Sequence, residues 1–211
     1  MTSIRTHLRR ATLATTAAAA AFVLASCGSD KPAAEHDMGA ESPSGSAAAA
    51  AGATGHNSAD ITFAKDMIQH HRQAVEMAAL ATSRAGSQDV KDLASKIQGA
   101  QDPEIEEMSG WLTAWGEDVP ADMSGMGHDM SAPMPGMMSA GDMDTLKKAS
   151  GATFDKKFLA MMVDHHEGAV TMGKTEKAGG KYGPATRLAA DVVTAQTTEI
   201  AQMNKMLGKT A

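Results

Sequence analysis

The segment Met67-Ile68-Gln69-His70-His71-Arg72-Gln73-Ala74-Val75-Glu76-Met77 recurs 95 positions later as Met162-Val163-Asp164-His165-His166-Glu167-Gly168-Ala169-Val170-Thr171-Met172. The same offset, without a gap, sets Asp60 on Asp155, Phe63 on Phe158, Leu93 on Leu188, Gln101 on Gln196, Glu104 on Glu199, Ile105 on Ile200, Met108 on Met203 and Leu112 on Leu207. A register held over so many positions is an internal duplication, so the chain must fold as two copies of one unit.

Each copy reads as helix. Phe63, Met67, His70, Ala74 and Met77 follow the i, i+3/i+4, i+7 spacing of a single helix face, and Phe158, Met162, His165, Ala169 and Met172 repeat it. Aromatic residues are 3% of the chain, and Ala, Leu, Met, Lys, Glu and Gln fill the periodic parts, which are strong helix formers. Ser58 is expected to cap the first helix, with Asp60 in its first turn, and Gly86 to end it. A second helix carries Val90 to Leu112; Pro103 falls inside it, and the glycine four residues earlier, Gly99, predicts a kink there rather than a stop. Gly179, Gly180, Gly183 and Pro184 mark the loop of the second hairpin, and Met143, Leu146 and Ala149 predict a short extra helix stopped at Gly151. Two hairpins, each too thin to bury its own apolar face, solve the problem by packing on each other. The expected fold is all-α, a four-helix bundle built from two duplicated helical hairpins.

Flanking composition divides the rest of the 211 residues. Arg5, Arg9 and Arg10, an apolar run over 11–24 and the box Leu24-Ala25-Ser26-Cys27 read as a lipoprotein signal peptide over 1–26, with Cys27 the lipidated first residue of the mature chain. Cys27 is the only cysteine, so it has no disulfide partner within the chain, and lipidation gives it a purpose. The apolar run is too short to span a bilayer, which leaves a lipid anchor as the membrane attachment and the outer face of the cell membrane or the periplasm as the location. Residues 27–57 are a flexible tether rich in Ala, Gly, Ser and Pro, in which His56 reads as incidental. The first hairpin then covers 59–117, a Met-rich linker 118–143 and the second hairpin 144–211, with 59–211 as one domain. Loss of three arginines with the signal moves the formal charge from -6 to -9, which argues against nucleic acid and for a surface tolerant of cations.

The side chains on the repeated face point to a soft metal ion. Thioether sulfur suits Cu(I), and imidazole serves Cu(I), Cu(II) and zinc alike, so a mixed Met/His set favours copper, Cu(I) before Cu(II). The candidate ligands are Met67, His70, His71 and Met77 in one copy and Met162, His165, His166 and Met172 in the other. Gln101, Glu104 and Met108, with Glu199 and Met203 in the second copy, share a face on the partner helices and form the opposite wall. Met77 stands seven residues from His70, about 10 Å along the axis, and so belongs to a different level from Met67. Methionine at helical spacing also fills cores, and Glu104 and Glu199 can instead hydrogen-bond the imidazoles. In the linker, Met123, Met126, His128, Met130, Met134, Met137, Met138 and Met143 stand among Gly, Pro, Ser and Asp with no apolar period, so they are expected to collect Cu(I) rather than to pack a core.

Met-x-x-His-His-x-x-Ala-x-x-Met followed by Gln-x-x-Glu-Ile-x-x-Met, with the lead-in Gly151-x-x-Phe154-Asp155-x-x-Phe158, resembles the bacterial domain of unknown function 305 family over about residues 59–208. The resemblance implies a ferritin-like fold. Some exported members are associated with copper binding and copper tolerance, and the resemblance carries that expectation here. The chain lacks the Glu-x-x-His pair that supplies a carboxylate-bridged di-iron site, which argues against a ferroxidase. The leading expectation is a lipid-anchored copper-binding protein, not an enzyme, that sequesters copper or hands it to a partner protein. A metal-dependent redox enzyme and a helical interaction module without metal are the competing readings.

Overall fold

The computed structural model describes residues 55–122 and 134–209. The signal segment, Cys27, the tether up to residue 54, and Met123, Met126, His128 and Met130 lie outside the described residues. Five helices follow in order: α1 (Ser58–Arg84), α2 (Gln88–Trp115), α3 (Ala140–Lys148), α4 (Gly151–Gly179) and α5 (Gly183–Met206). The described residues are all-helical, with no β-strand among them.

The helix ends show how the chain is punctuated. Asn57, not the expected Ser58, caps α1: its side-chain oxygen accepts from Ala59 N at 2.9 Å and Asp60 N at 3.1 Å, and Asp60 accepts in return from Asn57 N at 2.6 Å. This is a reciprocal capping box, and it starts the helix one residue earlier than a cap at Ser58 would. The α1 helix stops before Gly86. That glycine serves a close approach instead, since a Cβ there would lie 2.8 Å from the Gly151 carbonyl carbon. The α2 helix runs through Pro103 without a break. A Cβ at Gly99 would touch nothing, so no side-chain clearance is needed there. Gly116, at φ 74°, closes α2, its successor's N–H reaching Leu112 O at 2.9 Å. The extra helix α3 forms where Met143 and Leu146 required it, and both side chains are buried.

Short loops join α1 to α2 and α4 to α5, so each pair packs as a hairpin, and the hairpins meet where α1 lies against α4. The core is divided in two. One cluster contains Ala74, Met77, Ile97, Phe154, Phe158, Met162 and Met203; the other contains Phe63, Met67, Ile68, Met108, Leu112, Ala169 and Val192. Along α1 the division falls between Ile68 and Ala74, and along α4 between Val163 and Ala169. The paired histidines fill that gap.

Candidate metal centre

His70, His71, His165 and His166 are all fully buried, and they form a polar layer between the two apolar clusters. The layer exists because α1 and α4 cross antiparallel at equivalent points of the repeat. His70 and His165 meet face to face, with ring centroids 3.7 Å apart and planes tilted by 39°. His71 and His166 turn away by the ~100° that separates neighbours on a helix, each towards the second helix of its own hairpin. There His71 Nε2 donates to Glu104 at 2.7 Å and His166 Nε2 to Glu199 at 2.9 Å. Lys96 of α2 approaches the other oxygen of Glu199 at 3.7 Å, tying the hairpins together.

Buried polar atoms are normally hydrogen-bonded, and this layer departs from the rule. Both ring nitrogens of His165 lack partners, as do the Nδ1 atoms of His70, His71 and His166 and the Oε1 atoms of Gln101 and Gln196. Burial, reinforced by His71 and opposed by the Pro135 carbonyl, lowers the His70 pKa to about 3. His165 is held well below its ordinary value by burial and then by His70, His166 and His71; the His70 backbone opposes this weakly without making a well-formed hydrogen bond. Both imidazoles are therefore neutral at pH 7, with lone pairs free to bind a metal.

Every bundle methionine singled out in the sequence is packed. Met67 and Met108 lie in one cluster with Met172 against it, and Met77, Met162 and Met203 lie in the other. The duplication thus sets Met67 and its equivalent Met162 on opposite sides of the histidine layer. Among the described residues, no group of three or more His, Cys, Asp or Glu side chains is arranged to hold a metal ion. What the layer offers is a pair of imidazoles between thioether-lined clusters, a donor chemistry that suits soft ions.

The Met-rich linker is anchored at both described ends to α1 beside this layer. Gln69 and Arg72 donate to the carbonyls of Ala121 and Pro120 at 3.1 and 2.7 Å. On the return, His70 Nε2 donates to Pro135 O at 3.1 Å, and Gln73 exchanges two hydrogen bonds with the Met138 backbone. The expectation that the linker methionines stay out of the core fails at two of them. Met143 is 6% exposed and belongs to a core cluster because α3 turns an apolar face inward, and Met138, partly buried just before α3, packs against that cluster. Met134 and Met137 are only half-buried. His56, read as incidental, stacks on Trp115 with centroids 4.4 Å apart. Sequence reasoning missed Gln73, Pro135 and Gly136; the one available sign was that Gln73 of the first copy becomes Gly168 in the second.

The sequence profile described as Domain of unknown function (DUF305) matches residues 60–207. The chain belongs to the DUF305 family. Among DUF305 relatives of known structure, a candidate secreted protein from Streptomyces coelicolor is 34% identical with a TM-score of 0.64, covering 71% of this chain and 92% of that one. A DUF305 fragment from Deinococcus radiodurans is 30% identical with a TM-score of 0.63, covering 72% and 97%. CopM in its Cu(II)-bound form is 33% identical with a TM-score of 0.61, covering 71% and 95%. CopM is also seen in Cu(I)-bound and Ag-bound forms. No curated protein matches the chain at a significant level. Among the described residues no helix is long and apolar enough to cross a membrane.

Proposed function

We propose that this DUF305 protein binds copper outside the cytoplasm, taking Cu(I) in preference to Cu(II), and that it sequesters the ion or passes it to a partner protein without catalysing a reaction. The observation that carries the reading is the His70–His165 pair: two neutral imidazoles in contact, fully buried, with three of their four ring nitrogens unpartnered. Leaving a buried polar atom unsatisfied costs about 1–3 kcal/mol, which a fold retains where the atom has a ligand to meet. Copper as cargo fits the donor set, with imidazole nitrogen from His70 and His165 and thioether sulfur from Met67 and Met162 on either side. The CopM structures with Cu(I), Cu(II) and Ag support the same choice of metal.

In this reading the four long helices form a ferritin-like bundle, with α3 added by the linker. His71 and His166, held by Glu104 and Glu199, support the layer rather than face the ion. Met134 and Met137, with the methionines of 123–130, collect copper and deliver it to the pair. Cys27 carries the lipid that keeps the domain at the membrane. Competition for Cu(I) against a chelator tests the core of this proposal. Replacing His70 and His165 together by leucine keeps apolar volume in the layer; the affinity should fall at least a hundredfold, and an unchanged affinity would remove the pair from copper binding.

A further inference from the structure

The two halves of the duplication differ where they face residues 134–138. Gln73 of α1 grips the Met138 backbone in both directions, its Nε2 donating to the carbonyl at 2.9 Å and its Oε1 accepting from the N–H at 2.7 Å. Its equivalent on α4, Gly168, makes room. A side chain there would run into the Pro135 carbonyl, and a Cβ on Gly136 would lie 2.6 Å from the Asp164 carbonyl oxygen. Gly136 also takes φ 77°, a conformation glycine adopts at little cost. The strap therefore lies across both helices at the level of the His70–His165 pair, fixed on one side and given clearance on the other.

Its side-chain hydrogen bond to the pair is made by His70. A carbonyl oxygen only accepts, so the 3.1 Å contact between His70 Nε2 and Pro135 O means that Nε2 carries the proton. The lone pair of His70 is then confined to Nδ1, the nitrogen left buried and unpartnered. Histidines that bind metals through one nitrogen commonly donate the other N–H to a carbonyl or carboxylate, which sets the tautomer and aims the ring. Glu104 and Glu199 do this for His71 and His166. Pro135 does it for His70.

We propose that Gln73 is a positioning residue for metal binding: by latching the 134–138 strap, it holds the Pro135 carbonyl against His70 and fixes that imidazole as the tautomer whose Nδ1 takes the ion. The inference rests on the copper reading of the His70–His165 pair but has a test of its own. Nitrogen-15 NMR of the metal-free full chain reports which ring nitrogen of His70 bears the proton. The wild type should show the Nε2–H form, while Gln73→Ala, and independently Gly168→Ala, should give a mixture with Nδ1–H. Cu(I) affinity should fall roughly tenfold or more in both variants, as it does when a ligand's orienting partner is lost. Circular dichroism establishes that each variant keeps its helices, and two substitutions on different helices guard against one failing to fold. An unchanged tautomer in both variants overturns the proposal, as does a tautomer lost with no change in affinity. A wild type that binds no Cu(I) sinks the copper reading instead, and the nitrogen-15 spectrum still decides whether the strap sets the ring.

Discussion

Asp60 and Asp155 each clasp the loop of the other's hairpin. Asp60, in the first turn of α1, accepts from Lys181 N at 3.0 Å and Tyr182 N at 2.8 Å; Asp155, its equivalent on α4, accepts from Gly86 N and Ser87 N at 2.9 Å each. The duplication has thus made a reciprocal tie between the two units, independent of the histidine layer at the centre. Each tie fixes N–H groups that no helix satisfies, and a carboxylate acceptor makes such bonds strong.

Removing either carboxylate should loosen the packing of one hairpin on the other. Hydrogen bonds to a charged group contribute about 1.5–3 kcal/mol, so Asp155→Ala should cost roughly 2 kcal/mol. Asp60→Ala should cost more, because Asp60 is fully buried and also holds Asn57 N in the capping box. Urea denaturation followed by circular dichroism would measure both. Equal, negligible losses would contradict the clasp.

Stability should also depend on pH through Glu176, the one buried acid among the described residues with no acidic counterpart in the repeat; its equivalent is Ala81. Burial, then the neighbouring Asp60, raises the Glu176 pKa from 4.5 to about 8. Burial pushes Asp60 up as well, but the N–H groups of Tyr182, Asn57 and Lys181 and the Glu176 carboxyl outweigh it and hold Asp60 below its ordinary value. Folded Glu176 therefore keeps a proton that the unfolded chain has released. The associated stability is fully present below pH 4.5 and is lost as pH rises through about 8. His70 and His165 are neutral in the folded chain and become neutral in the unfolded chain about one unit above 6.5, so above about pH 7.5 they add no slope. The melting temperature of the wild type should fall between about pH 7.5 and 8.5, and that of Glu176→Gln should stay nearly flat over the same range.

Much of this fold was legible in the sequence because a duplicated period of 3.6 leaves little choice of architecture. The helix faces, the second hairpin loop and α3 follow from spacing and breakers alone. The centre was legible only as a set of residues. Spacing could not tell which histidine of each pair faces its equivalent, because adjacent positions differ by ~100° and the crossing of α1 with α4 decides which direction is the interface. Met143 carried two conflicting signals, the three-residue step to Leu146 that predicts α3 and the Gly- and Asp-rich neighbours that set it among the Cu(I)-collecting methionines; the spacing is the one that holds, since both side chains are buried. The strap was invisible for a simpler reason: Pro135 acts through its backbone, which carries no side-chain signature.

The linker methionines should accordingly separate by substitution. Met143→Ala removes a packed core side chain and should destabilise by about 2–4 kcal/mol. Met134→Ala and Met137→Ala, at half-buried positions, should each cost under about 1 kcal/mol while lowering copper stoichiometry. Thermal melts paired with copper counting by elemental analysis distinguish the two behaviours. Identical stability losses at all three positions would contradict the assignment.

The histidine layer itself should trade stability for binding. His165→Leu removes two buried nitrogens with no partners and replaces them with apolar volume, so the metal-free protein should gain roughly 1–2 kcal/mol while its Cu(I) affinity falls. A variant that loses stability and keeps its affinity would mark the layer as structural.

The most direct measurement is a crystal structure of the protein soaked with Ag(I), the stable stand-in for Cu(I), with anomalous scattering used to locate the metal. The account predicts a peak within bonding distance of His70 Nδ1 and a ring nitrogen of His165, with a methionine sulfur completing the site. Metal found only along 118–138, with the His70–His165 pair still in ring contact, would contradict it.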